Sequence, residues 1–301
     1  MRGAGLLVFL AAPVAITAAA YFLMPTDSAQ SPAEPPVSSA QSAREDSKER
    51  AETERAEDER TIASLPAGLA DPAKKELALR ITATAEFSDL NWRLGYGRVE
   101  DTGDGCGYTA GVIGFCTGTH DLLALVERYT KAHPDNGLAR YLPALREVDG
   151  TDSHEGLDPG FPAAWKAEAE KPAFRQAQDA ERDEVYFDPA VRLAKLDGLG
   201  TLGQFVYYDA MVLHGPDPSP SGFYGLRERA LREAEPPSRG GSEKAFLDIF
   251  LDVREQSMKR KKPTTDTSRI DTAQRQWLYD GNLSLDTPLS WRMYGEPYRI
   301  P

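Results

Sequence analysis

The 301-residue sequence predicts a mainly α protein of the α+β kind with one small β region, and three observations carry that expectation. Apolar residues recur at helical spacing through most of the chain beyond Asp71. Proline stands at the start of several of these stretches, and Pro134 with Asn136-Gly137 closes one of them. A single window, running on from Trp92 through YTAGVIGF at residues 108–115, combines dense glycine with β-branched residues and reads as short strands and turns.

Residues 1–24 hold one basic residue, Arg2, and then an almost unbroken apolar run over residues 4–24. Such a run is an export signal or an uncleaved membrane anchor, since a span takes ~20 apolar residues. Either way, the rest of the chain is expected outside the cytoplasm, extracellular or at the cell surface. Residues 25–65 turn to Ser, Ala, Pro, Glu and Arg, with little to bury. This stretch is expected to be a disordered linker or a fluctuating helix around residues 44–60, because it cannot offset its ordering entropy.

The folded domain is expected over residues 66–301, with its first helix starting at Asp71-Pro72, a good cap followed by a proline suited to the first turn. Leu77, Ile81 and Ala85 give it an apolar stripe that ends near Glu86. Further helices are expected over residues 119–129, 162–170, 172–183, 189–213, 222–235, 243–259 and 267–280. No internal repeat is visible.

The formal net charge of −12 argues against nucleic acid, whose phosphates require a basic footprint. An acidic face would instead draw in a polycation. His120, His133, His154 and His214 are scattered and no CxxC or HExxH occurs, so neither a metal site nor a cofactor is expected. Cys106 and Cys116 are close enough in sequence for a disulfide across a hairpin, which an exported protein permits.

Two carboxylates frame the chemistry. Glu86 closes a helical pattern, and Asp104 sits in the glycine turn Gly103-Asp104-Gly105-Cys106-Gly107, so the helix end and the turn could face each other across a cleft. Glycoside hydrolysis needs such a pair, one carboxyl protonated to donate to the leaving oxygen and one ionised to activate water or attack carbon. Among 47 acidic residues most Asp and Glu are solvated surface, so the pair by itself is only a candidate. Asp209, inside the apolar run FVYYDAMVL, also calls for a basic partner, because a buried acid must be compensated.

The wording around these residues is more specific. Glu86, Trp92, GDG-x-GYTAG at residues 103–111, GFCTGTHDLL at 114–123, LARYLPAL at 138–145 and ERDEVYFDPAV at 181–191 resemble, in order, the family 46 glycoside hydrolases, the chitosanases. The likeness continues through LGQFVYYDAMVLHGP at 202–216, FLDVR at 250–254, DTSRIDTAQR at 266–275 and GNLSLDTPLSW at 281–291, covering residues 69–301. The resemblance implies a two-lobed lysozyme-like fold and an endo-chitosanase acting on chitosan, a polycationic glucosamine polymer, by an inverting acid/base mechanism without a cofactor. It implies a general acid at Glu86, a general base at Asp104 and a water-placing hydroxyl at Thr109. Asp209, Arg254 and Arg269 match a buried network that supports the acid, and Asp121 matches a residue that grips an amino sugar. Tyr186 and His214 lie in matching segments and are candidate groove residues.

Cys116 falls on a cysteine position of the family, where a buried free thiol is the simpler reading. The chain departs from the common pattern at Cys106, where many members carry an arginine that contacts substrate, and at Phe87, where many carry asparagine. A monomer is expected. Competing readings are a lysozyme-like peptidoglycan hydrolase and a non-catalytic chitosan-binding surface protein that has lost turnover.

Overall fold

The computed structural model describes the backbone of residues 37–301 and the side chains from residue 47 onward. The expected signal or anchor at residues 1–24 lies outside the described residues. Among those described, no helix is long and apolar enough to cross a membrane. The chain divides into two compact units, Met1–Thr53 and Glu54–Pro301.

The described part of the first unit is helical. Helix α1 runs over Val37–Ser64 and continues into the second unit. It is mostly exposed from residue 47 onward, and its highly charged sequence has no apolar stripe, which is why the sequence alone balances it between disorder and helix. Within the second unit, Asp58 near its end pairs with Arg192 at 2.9 Å.

Helix α2, Pro72–Phe87, starts as the sequence requires: Asp71 accepts from the amides of Ala73 (2.9 Å) and Lys74 (3.4 Å), and Pro72 takes the first turn. Leu77, Ile81 and Ala85 are buried, as the stripe predicts. The next elements are β1 (Val99–Asp101), β2 (Tyr108–Ala110) and β3 (Phe115–Cys116), an antiparallel three-stranded sheet in which Thr109 pairs with Glu100 on one side and Cys116 on the other.

Helices α3 (Asp121–Ala132), α4 (Leu142–Val148), α5 (Phe161–Ala169) and α6 (Pro172–Glu181) follow, and Trp165, Phe161 and Phe174 interlock at their centre. A π-helical stretch, Arg182–Phe187, leads into α7 (Asp188–Leu196) and α8 (Thr201–His214). Helix α8 is buried continuously from Leu202 to Met211, so it reads as apolar all round. Helices α9 (Phe223–Glu233) and α10 (Glu243–Lys261) pack around it, and a second π stretch, Arg269–Gln274, leads into α11 (Arg275–Tyr279). A hairpin of β4 (Leu289–Met293) and β5 (Glu296–Ile300) ends the chain.

Four expectations need correction. The single helix over residues 189–213 is two helices, because Gly198 takes a left-handed conformation (φ +80°) and stops α7. The helices over 172–183 and 267–280 are each partly π-helical. A second β region exists: Leu289, Trp291 and Met293 are buried and alternate with exposed residues, a two-residue period in too short a run to stand out in the sequence. Finally, Cys106 and Cys116 form a disulfide with Cα atoms 6.0 Å apart, and Cys116 is not a free thiol.

Candidate active site

Glu86 lies in the last turn of α2, and the end of that helix is pinned from the far end of the chain, where the Tyr294 hydroxyl donates to the Ala85 carbonyl at 2.9 Å. Arg269 donates from Nη2 to Glu86 Oε1 at 2.5 Å and from Nε to Asp209 Oδ1 at 2.8 Å. Arg254 donates to Asp209 Oδ2 at 2.8 Å, and Gln274 Nε2 reaches the same oxygen at 2.6 Å. Arg254 in turn donates to Gln274 Oε1 at 2.6 Å. Asp209 is thus met by two guanidinium groups and one amide, which compensates the charge that α8 carries into the core.

Gln274 was not singled out from the sequence. Its signal was weak, an amide inside the matching DTAQR run. The π turn explains its reach. At 3.6 residues per turn, Arg269 and Gln274 would point about 140° apart. A turn closed between residues five apart brings both to one side, toward Asp209.

The charges compete in a definite order. Burial pushes the Glu86 carboxyl above its ordinary range, Arg269 pulls it back, and Asp209 adds to the upward push; the net direction is up. Burial would also raise Asp209, but Arg269 and Arg254 outweigh it and hold that carboxyl below its usual range. The result is one carboxyl biased toward its protonated form, bonded to an arginine whose second partner stays ionised. His214, the last residue of α8, is driven well below the usual imidazole range by burial and by Arg254 and Arg269, so it stays neutral beside the network. Its Nε2 is buried without a protein partner.

The other oxygen of Glu86 faces the sheet. A Cβ placed on Gly114 would lie 3.2 Å from Glu86 Oε2 and 3.1 Å from Thr109 Cγ2, so these two side chains adjoin across a glycine that carries no side chain of its own. Asp104 stands in the exposed turn between β1 and β2, and its Oδ1 accepts from the Cys106 amide at 3.0 Å. Phe87 does not enter this network. Its ring packs against Gly95, 3.0 Å from where a Cβ there would sit.

Asp121 and Tyr186 form a separate pair. Asp121 Oδ1 accepts from the Cys116 amide (2.8 Å), the Thr119 hydroxyl (2.8 Å) and the Leu122 amide (2.9 Å), while Oδ2 accepts from the buried Tyr186 hydroxyl at 2.9 Å. Burial raises the Asp121 carboxyl against the lowering effect of these bonds. The pair anchors β3 to the start of α3, and none of these bonds reaches the Glu86 network. Among the described residues no His, Cys, Asp and Glu cluster is arranged to hold a metal ion.

The site can therefore present one shielded carboxyl with its proton affinity raised by burial, 17 % exposed at the side chain, and one carboxyl open to solvent. That is the asymmetry acid/base hydrolysis requires.

Comparison with known proteins gives the family. The model of glycosyl hydrolase family 46 matches residues 80–289. A chitosanase of Streptomyces sp. (strain N174) is 51% identical over 240 residues, 80% of this chain and 86% of the relative. A chitosanase of Bacillus subtilis (strain 168) is 42% identical over 174 residues, 57% of this chain and 63% of the relative. A solved structure of chitosanase OU01 with substrate superposes with a TM-score of 0.77 at 48% identity, over 79% of this chain and all of that one. A chitosanase of Gynuella sunshinyii in complex with chitotetraose superposes at 0.70 and 30% identity, over 79% of this chain and 99% of that one. The mainly α, lysozyme-like fold is shared with these structures. With the family's model spanning most of the folded chain and half of the 240 aligned positions identical to a member's, the protein is a glycoside hydrolase and belongs to family 46.

Proposed function

We propose that this chain is an exported endo-chitosanase that hydrolyses β-1,4 links between glucosamine units with inversion at the anomeric carbon. Glu86 is the general acid, Asp104 the general base, and Thr109 holds the attacking water. The observation that carries the reading is the contrast between the two carboxyls: Glu86 is held by Arg269 at a buried position, where burial raises its proton affinity against the pull of that arginine, while Asp104 is solvent-exposed on a glycine turn. Substrate class is supported by relatives that are chitosanases over most of their length and by the acidic balance of the chain.

In this mechanism, substrate lies between the end of α2 and the β1–β2 turn. Glu86 gives its proton to the leaving glycosidic oxygen as that bond breaks, while Asp104 takes a proton from the water attacking from the opposite face. Inversion requires the two carboxyls roughly 6.5–9.5 Å apart, with room for that water. Thr109 adjoins Glu86 across Gly114, and its hydroxyl can accept from the water and donate at once. Arg269 orients Glu86 through a fixed guanidinium fork and stabilises the carboxylate left after proton transfer.

The test is proton NMR of the first product released from a fully deacetylated glucosamine oligomer. An α-anomer appearing ahead of mutarotation, abolished in both Glu86→Gln and Asp104→Asn, is expected. A β-anomer first would sink the inverting mechanism, and wild-type turnover in either variant would remove that residue's role. Retention of the polymer without products would favour a non-catalytic binding protein.

A further inference from the structure

The β1–β2 turn is held very unevenly. At its tip, Gly103 and Gly105 flank Asp104, both with positive φ (68° and 86°), and a side chain placed on either would meet nothing within 4 Å. Glycine on both sides in open space gives this tip more conformational freedom than any other residue pair would. At its root, two residues on, the chain is gripped from every side. The Cys106 carbonyl accepts from the Gly118 amide at 2.9 Å and the Thr117 hydroxyl at 3.1 Å, and the Cys106 side chain is covalently joined to Cys116. Gly107 has no room for a side chain against Thr117. The Cys106 amide is also the group that donates to Asp104 Oδ1. The free tip and the fixed root therefore meet at one residue, Cys106.

We propose that the Cys106–Cys116 disulfide is a positioning element for Asp104. It fixes the backbone whose amide holds the carboxylate, and so sets where the base stands relative to Glu86. This rests on the reading of Asp104 as the base. The strands themselves do not need the crosslink. Tyr108 in β2 stacks on His154 with ring centroids 4.0 Å apart and bonds through its hydroxyl to Asp158, and β2 pairs with both neighbouring strands. Opening the disulfide would thus loosen the turn and leave the sheet. A base out of place by about 1 Å loses rate by up to ~100-fold, because orientation enters the transition state and substrate affinity hardly at all.

The experiment compares oxidised protein, protein reduced with tris(2-carboxyethyl)phosphine until two thiols per chain titrate, and the Cys106→Ser/Cys116→Ser variant, each with and without Asp104→Asn. Near-ultraviolet circular dichroism follows the fold. The expected result is a ~10- to 100-fold lower kcat on opening the crosslink, with KM within about twofold and the spectrum retained. In the Asp104→Asn background the small residual rate should be indifferent to the crosslink, since no base remains to be placed. An unchanged kcat after full reduction overturns the proposal. So does an equal fractional loss in both backgrounds, or a collapsed spectrum, either of which makes the bond a prop for the fold alone. Wild-type kcat in oxidised Asp104→Asn is a different failure, of the base assignment itself.

Discussion

The two carboxyls proposed as acid and base, Glu86 and Asp104, are supported in opposite ways. Glu86 lies in the last turn of a 16-residue helix and leans on Arg269 of the π stretch, which is braced in turn by Asp209 of α8 and, through it, Arg254 of α10, all buried. Asp104 is exposed on a turn of glycines, backed by the Cys106 amide and, through that same residue, a covalent bond to Cys116. The contrast suits the two roles proposed for them. A donor needs a raised proton affinity, which burial and a nearby negative charge supply. A water activator needs solvent at its oxygens, so its support must come through the backbone and leave the carboxylate open.

The comparison breaks first on activity. Glu86→Gln and Asp104→Asn should each lower kcat by ~10²–10⁴-fold, the range for a single acid or base. They should differ in the fold: Asp104→Asn is expected to leave thermal stability within ~0.5 kcal/mol, as for other exposed substitutions. A large melting shift in Asp104→Asn would mean that the turn is not free-standing.

Removing the hub of the acid side tests stability and rate together. Arg269→Ala leaves Asp209 facing Arg254 and Gln274 alone and takes the orienting fork from Glu86, at an expected cost of about 3–5 kcal/mol. Chemical denaturation reads the first effect and kcat the second. Unaltered values of both would refute the network's role. Gln274→Leu removes one neutral donor from the buried Asp209 and should cost about 1–3 kcal/mol, with a smaller loss of rate.

A pH series sharpens the contrast further. The folded pKa of Glu86 lies above its ordinary value of 4.5, so proton binding by this group stabilises the fold most below about that pH. The contribution is lost as pH rises through the folded pKa. Melting of Glu86→Gln should therefore gain on wild type with rising pH across that window, whereas a constant difference would show that burial does not perturb this carboxyl. As the smallest effect, Arg192→Ala should change stability by less than ~1 kcal/mol, because its pair with Asp58 is solvent-exposed and belongs to neither wall.

Much of this was legible beforehand for identifiable reasons. The start of α2 is fixed by Asp71 and Pro72, which act on their own neighbours, and its buried stripe by a spacing that any helix displays. Asp209 announced its need for a base because a carboxylate in an apolar run has no other resolution. The break at Gly198 was hidden because apolar spacing continues in phase on both sides of it. Gln274 was hidden because a π turn, which decides where its amide points, leaves no period in the sequence.

By itself the sequence determined most of the helical stretches, the glycine turn and the family, since these depend on residues near one another in the chain or on wording kept together in order. Tertiary structure decided which groups meet. Arg269 reaches Glu86 across 183 positions and Tyr294 reaches Ala85 across 209, and Cys106 closes on Cys116 where a free thiol was the simpler expectation. Such meetings depend on how whole elements pack, and a proton affinity set by burial exists only once that packing has removed the water.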